Sequence, residues 1–220
     1  MQPSIKIVAA LVSLVAIAIG LGFLLNDDLR TPQVYVEGLD YHMLPKPLDT
    51  DVTGKIEVRE AFSYTCGHCY QFEPMIKTWG RRQSSDVQLV KQQIVWSIEI
   101  EHYARLQHIG IALGIADKAD AAIFTAVHTQ NNKLETEDKA AALFATLGVS
   151  LDAFHEIYQS DKIKQQAKQS ELKTLHLGVR SIPQMVVAGR YVVLVNRETG
   201  FEGMLKVVDF LVEKIRDEDF

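Results

Sequence analysis

The chain has only two cysteines, and they stand three positions apart in Cys66-Gly67-His68-Cys69. Once that pair is used locally, no disulfide remains to staple distant segments together. A disulfide scaffold is therefore excluded, and the 220 residues must be held by packing. The composition permits this, with 47 % apolar and 23 % charged residues. The net charge is −5, and no run of Lys or Arg offers a nucleic-acid footprint, so nucleic acid is set aside as a partner.

The surroundings of the motif read as a strand entering a helix. Residues 55–62 alternate, with Ile56, Val58, Glu60 and Phe62 on one side and Glu57, Arg59 and Ala61 on the other. Beyond the cysteines, Phe72, Met75, Ile76 and Trp79 recur at helical spacing, with Pro74 inside the run as an expected kink. Residues 34–36 suggest a short strand and 87–96 a further one. From 101 to 177 the pattern is helical, with Gly148 and Gly178 as stops and Ser150 as a cap. Residues 184–187 and 191–195 form a hairpin candidate around Ala188-Gly189, and Met204 to Ile215 a last amphipathic helix. The order is strand, strand, helix, strand, helical block, strand, strand, helix: an α/β fold with a βαβ–ββα core and an inserted all-helical domain. The expected division is a redox domain of residues 31–100 and 178–220 with a helical domain of 101–177.

Residues 1–30 stand apart. Positions 7–25 are apolar and uncharged, after Lys6 and before Asp27 and Asp28. A signal peptide has an apolar region of about 7–15 residues, and a membrane anchor needs about 20. Both readings, cleaved signal and inner-membrane anchor, carry the rest of the chain out of the cytoplasm, given the positive flank.

A helix start favours negative charge, through its unsatisfied N–H groups and its dipole. Cys66, at that start, is thus expected to be the reactive thiolate, and Cys69, one turn further in, the resolving sulfur. His68 between them would help hold the thiolate, and Gly67 leaves room for a substrate backbone. Glu60 lies on the apolar face of the strand leading to Cys66. A carboxyl buried there would carry a raised pKa and could exchange a proton with Cys69. Lys91, in the neighbouring strand, is a potential partner for it. Pro183 precedes a strand, where proline is tolerated. The competing use of C-x-x-C, half of a metal site, wants four ligands, and no other histidine has ligand spacing to the pair.

These residues carry a resemblance. The run from Glu60 to Glu73, with Cys66-Gly67-His68-Cys69 at its centre, and the segment Gly178-Val179-Arg180-Ser181-Ile182-Pro183 are similar to those of DsbA-type thiol–disulfide interchange proteins of the bacterial envelope. The resemblance covers residues 31–220. It implies a thioredoxin fold with an inserted helical domain, and a dithiol oxidase of the periplasm that needs no cofactor. It implies exported proteins with reduced cysteines as substrates and a DsbB-type membrane oxidase as partner. Carried over, Cys66 is the nucleophile, Cys69 the resolving cysteine, His68 the family histidine, Glu60 the buried acid and Pro183 a cis-proline. Ile182 before it would meet substrate by strand addition. Many members have Pro at the position of Gly67, and Val or Thr at that of Ile182. These departures leave a reductase or isomerase of the same fold as the alternative.

Overall fold

The structure is a computed structural model that describes residues 34–195 and 199–219. The apolar stretch 7–25 lies outside the described residues. Among those described, no helix is long and apolar enough to cross a membrane. Residues from Val36 onward form one compact unit.

Five strands make one sheet: β1 (Tyr41–Met43), β2 (Ile56–Phe62), β3 (Val87–Gln93), β4 (Gln184–Val187) and β5 (Tyr191–Val193), in the spatial order β1-β5-β4-β2-β3. Only β2 and β3 run parallel, and they are joined by helix α1 (Gly67–Arg82). A parallel pair needs such a crossover, and the alternating apolar residues of 56–62 and 87–93 supply the two strands. β4 pairs antiparallel with both β2 and β5, which closes the hairpin expected from the sequence. At its turn Ala188 and Gly189 both take positive φ, 51° and 64°. A Cβ on Gly189 would collide with the carbonyl of Leu48, so this position requires glycine.

Five helices lie between β3 and β4: α2 (Ile98–Ala112), α3 (Ala116–His128), α4 (Glu137–Thr146), α5 (Leu151–Gln159) and α6 (Asp161–Leu177). Ser150 caps α5 through its hydroxyl, which accepts the Ala153 N–H, and Gly178 ends α6 with a left-handed φ of 57°. The last helix, α7 (Gly200–Asp219), packs on β2, β4 and β5. It meets α1 through Phe72 against Phe201 and through the Trp79 indole N–H, which donates to Asp209 at 2.7 Å.

Several expectations need correction. The short first strand is Tyr41–Met43, not residues 34–36. Val34 and Val36 are exposed, whereas Tyr41 is buried and packs edge-on against Tyr191 of β5. β3 ends at Gln93 rather than at 96. Its free edge is occupied by a side chain instead of a strand: Gln107 of α2 accepts the Gln93 N–H at 3.0 Å and donates to the Lys91 carbonyl at 2.9 Å. Helix begins at Ile98, earlier than 101, and β5 stops at Val193. The alternation in β2 does not separate a wet face from a dry one. The strand is central, and all seven of its residues are buried. Glu57 and Arg59 are tolerated inside because each finds a partner: Arg59 reaches Glu57 at 2.6 and 2.8 Å, Gln92 at 2.6 Å and Asp51 at 3.0 Å. α1 runs through Pro74 to Arg82 as one helix.

Candidate active site

β2 delivers the chain to a short loop, Ser63-Tyr64-Thr65, and then to Cys66. The loop is pinned from both sides. Gln93, at the end of β3, accepts the Tyr64 N–H at 2.9 Å and donates to the Ser63 hydroxyl at 3.2 Å. His128, the last residue of α3, donates from Nε2 to the Tyr64 carbonyl at 2.8 Å. His128 also stacks on Tyr70, with ring centroids 4.8 Å apart. Sheet and helical block thus jointly fix the loop that presents the dithiol.

Cys66 is the N-cap of α1, with extended φ and ψ of −89° and 117°. Its sulfur stands where a capping oxygen would, accepting the Cys69 N–H at 3.3 Å. Both thiols are free, Cys66 half-buried and Cys69 fully buried. Their environments drive the two apart. The hydrogen bond from the Cys69 thiol, helped by the N–H groups of Cys69 and His68 and by the charge of His68, outweighs burial. The result is a Cys66 pKa lowered from 9.0 to about 6. Donating that bond, and burial, push Cys69 far above an ordinary thiol. At pH 7 Cys66 is then mainly thiolate, by about tenfold. Gly67 and His68 are exposed, and a Cβ at Gly67 would meet nothing.

Ile182-Pro183 is a cis peptide bond. It brings the Ile182 carbonyl to 3.8 Å from the Cys66 sulfur, although 116 positions separate them. Pro183 is buried and Ile182 partly exposed beside the thiolate.

Glu60 is completely buried, and neither carboxylate oxygen holds a hydrogen bond. Burial raises its pKa from 4.5 to about 8 against the pull of Lys91, with Glu73, Asp120 and Cys66 adding to the rise. The possible Glu60–Lys91 pair does not form a bond. The two are register partners, yet the Lys91 ammonium lies 2.6 Å from Glu73 of α1 and 2.8 Å from Asp120 of α3. It also rides over the Phe62 ring at 4.5 Å. Asp120 in turn accepts the Tyr64 hydroxyl. Glu73, Asp120, Tyr64 and His128 are site residues that sequence reasoning passed over. The available signal was polarity on an apolar stripe: Glu73 beside Phe72 and Ile76, and Asp120 three and four residues before Ile123 and Phe124. Among the described residues, no group of three or more His, Cys, Asp or Glu side chains is arranged to hold a metal.

A four-residue dithiol capping a helix beside a cis-proline, on a sheet of this order, defines a class: the thiol–disulfide oxidoreductases of thioredoxin fold. A family profile described as "DSBA-like thioredoxin domain" matches residues 97–206, the helical block through the start of α7. The chain is 30 % identical to the thiol:disulfide interchange protein DsbA of Burkholderia cepacia over 91 % of its length and 95 % of the relative's. It is 33 % identical to that of Pseudomonas aeruginosa over 83 % and 86 %. The crystal structure of Pseudomonas aeruginosa DsbA superposes with a TM-score of 0.79 at 32 % identity, covering 84 % of this chain and 96 % of that one. The oxidoreductase DsbA from Xylella fastidiosa gives 0.78 at 30 %, covering 84 % and 100 %. The chain belongs to the DsbA family.

Proposed function

We propose that this oxidoreductase works as a dithiol oxidase in the periplasm, passing the Cys66–Cys69 disulfide to exported proteins that carry reduced cysteines. In this reading residues 31–100 and 178–220 form the redox domain, and 101–177 the inserted helical domain. A substrate thiolate attacks Cys66. A bond forms between the two sulfurs, the Cys66–Cys69 bond breaks, and the departing Cys69 sulfur takes the proton of the Glu60 carboxyl. A second substrate thiolate then attacks the first substrate sulfur, closing the substrate disulfide and releasing Cys66 as a thiolate. Two electrons have passed to the protein, and a DsbB-type membrane oxidase removes them. His68 steadies the thiolate, while Gly67, Ile182 and Pro183 form the edge met by the substrate chain. Residues 7–25 serve either as a cleaved signal or as an inner-membrane tether, which N-terminal sequencing of the mature protein distinguishes.

The observation that carries the direction of exchange is the N-cap position of the Cys66 sulfur. A sulfur stabilised as thiolate favours the reduced protein and so makes the disulfide the stronger oxidant. The tenfold excess of thiolate at pH 7 accounts for at most about 30 mV, since solvent screens a half-buried sulfur. Equilibration with glutathione buffers measures the potential. A value well above about −200 mV is expected, and one near the thioredoxin range of about −270 mV overturns the oxidase reading in favour of a reductase. Trapping with Cys69→Ala is expected to accumulate mixed disulfides through Cys66 to exported proteins.

A further inference from the structure

At Asp120 the helical block places a buried carboxylate in the site. Three observations make that contact informative. First, Glu60 and Lys91 are directly opposed across the parallel β2–β3 pair, on the same face. Strand spacing of about 4.8 Å leaves an ammonium within easy reach of such a carboxylate. Second, they nevertheless do not bond. Lys91 is turned to Glu73 and Asp120, and both oxygens of Glu60 are left without a hydrogen bond. Third, Asp120 is itself buried, in the middle of α3, where a carboxylate is costly unless it is bonded. Its second oxygen accepts the hydroxyl of Tyr64, two residues before Cys66. The groups facing Glu60 are therefore Lys91 from β3, Glu73 and Cys69 from α1, Cys66 at the N-cap of α1, Asp120 from α3 and Tyr64 from the loop, while its β4 register partner, Met185, is apolar.

We infer that Asp120 is a positioning residue for proton exchange at Cys69: with Glu73 it holds the Lys91 ammonium away from Glu60, leaving that carboxyl unpaired and able to keep a proton. This rests on the reading of Glu60 as the proton partner of Cys69. An ammonium has three donors, and Glu73 and Asp120 occupy two of them in strong bonds. Remove the Asp120 carboxylate, and the freed donor turns to Glu60. The ion pair that forms holds Glu60 ionised, and the resting proton for Cys69 is lost. The helical block thereby sets the protonation state of a group in the sheet.

The test is the titration of Glu60, followed by carboxyl-labelled NMR in the reduced protein and assigned by the signal missing from Glu60→Gln. Asp120→Asn keeps the shape and the acceptor for Tyr64. It is expected to strengthen the Glu60 acid by about tenfold or more. Asp120→Glu, which keeps a carboxylate on Lys91, is expected to restore it toward the parent. A direct charge effect is separated by repeating Asp120→Asn in a Lys91→Met background, with Lys91→Gln as the second background should the first not fold. If Asp120 acts through Lys91, the effect shrinks to less than half there. An undiminished effect, or no effect of Asp120→Asn in the parent, overturns the inference. The reading of Glu60 is judged separately, by the pH profile with which Cys69 displaces glutathione from Cys66. If Glu60→Gln leaves that profile unmoved, Glu60 is not the proton partner, whatever Asp120 does to its titration.

Discussion

Two glutamates stand three residues apart on β2, on opposite faces of the sheet, and both are buried. Glu57 is held at both oxygens: Arg59 donates to Oε1 from Nε at 2.8 Å, with its Nη2 2.6 Å away as an ion pair, and the Asp51 backbone N–H donates to Oε2. Arg59 passes the charge on to Gln92 and Asp51, and Asp51 reaches Lys173 of α6. Glu60 has a cation as its register partner and no hydrogen bond at all. The comparison teaches what burial of a carboxyl means. With its bonds made, it ties the sheet to α6 and to the segment before β2. Left unmade, the bonds keep it close to its protonated form at neutral pH, a state that weakens the fold and is the one the proposed proton exchange with Cys69 needs.

The hardest blow to the comparison is Arg59→Met. It strands the buried Glu57 without its cation, leaves Asp51 with Lys173 alone, and is expected to cost about 3–5 kcal/mol in urea unfolding. The thiolate absorbance of Cys66, on the other face, should keep its midpoint near pH 6. A stable Arg59→Met protein would mean that the two faces are not the opposites described.

Glu60→Gln acts in the reverse sense. The folded pKa is raised, from 4.5 to about 8, so the parent loses stability as pH rises through that window and is flat outside it. The glutamine variant lacks the slope. Its stability relative to the parent should therefore improve by about 3 kcal/mol between pH 4.5 and pH 7, read from denaturation midpoints across pH. An unchanged pH dependence would show that Glu60 is ionised in the fold.

Cys66 supplies a smaller effect of opposite sign. Its folded pKa is depressed from 9.0 to about 6, so the stability it gives the reduced protein is complete above about pH 9, declines as pH falls, and is gone below 6. The oxidised protein has no such term. The excess stability due to the thiolate is thus at most about 1.4 kcal/mol at pH 7, less the share screened by solvent. Parallel unfolding of the two redox forms between pH 5 and 9 measures it. The smallest expected change is Gly67→Ala. It touches neither cluster, meets open space and relieves a flexible residue at a helix start, for a gain of about 0.5–1 kcal/mol in both redox forms.

Much of this was legible from local pattern. The dithiol at a strand–helix junction, the cis-proline before a strand, the hairpin and the inserted helices all follow from spacing or resemblance, because each is encoded within a few residues. Glu60 was readable for the same reason, as an acid on an apolar face. Its neighbour was not. Alternation put Glu57 and Arg59 on the face opposite Ile56, Val58 and Phe62, and nothing local announces that Asp51 and, through Lys173, α6 stand against that face. Lys91 illustrates the same gap at the site. Register with Glu60 is visible once the strands are known, but its true partners come from α1 and α3. Tyr64 with Asp120, and Gln93 with Gln107, join segments through side chains alone. Such contacts leave only a polar residue on an apolar stripe as their trace. β1 is too short to carry a pattern, and the exposed Val34 and Val36 mimicked one.

The order of strands in the sheet bears on how the molecule comes into being. β2 has β3 on one side and β4 on the other, and the whole helical block is made between the two. A chain that emerges amino end first therefore displays Cys66 and Cys69 well before Ile182 and Pro183 exist to sit beside them. During that interval β2 has one flank unpaired, and the Cys66 sulfur lacks the Ile182-Pro183 segment that will later stand beside it. Closing so distant a contact is slow compared with forming a helix. The molecule that handles the cysteines of other chains thus begins with its own exposed, as a client of the same chemistry.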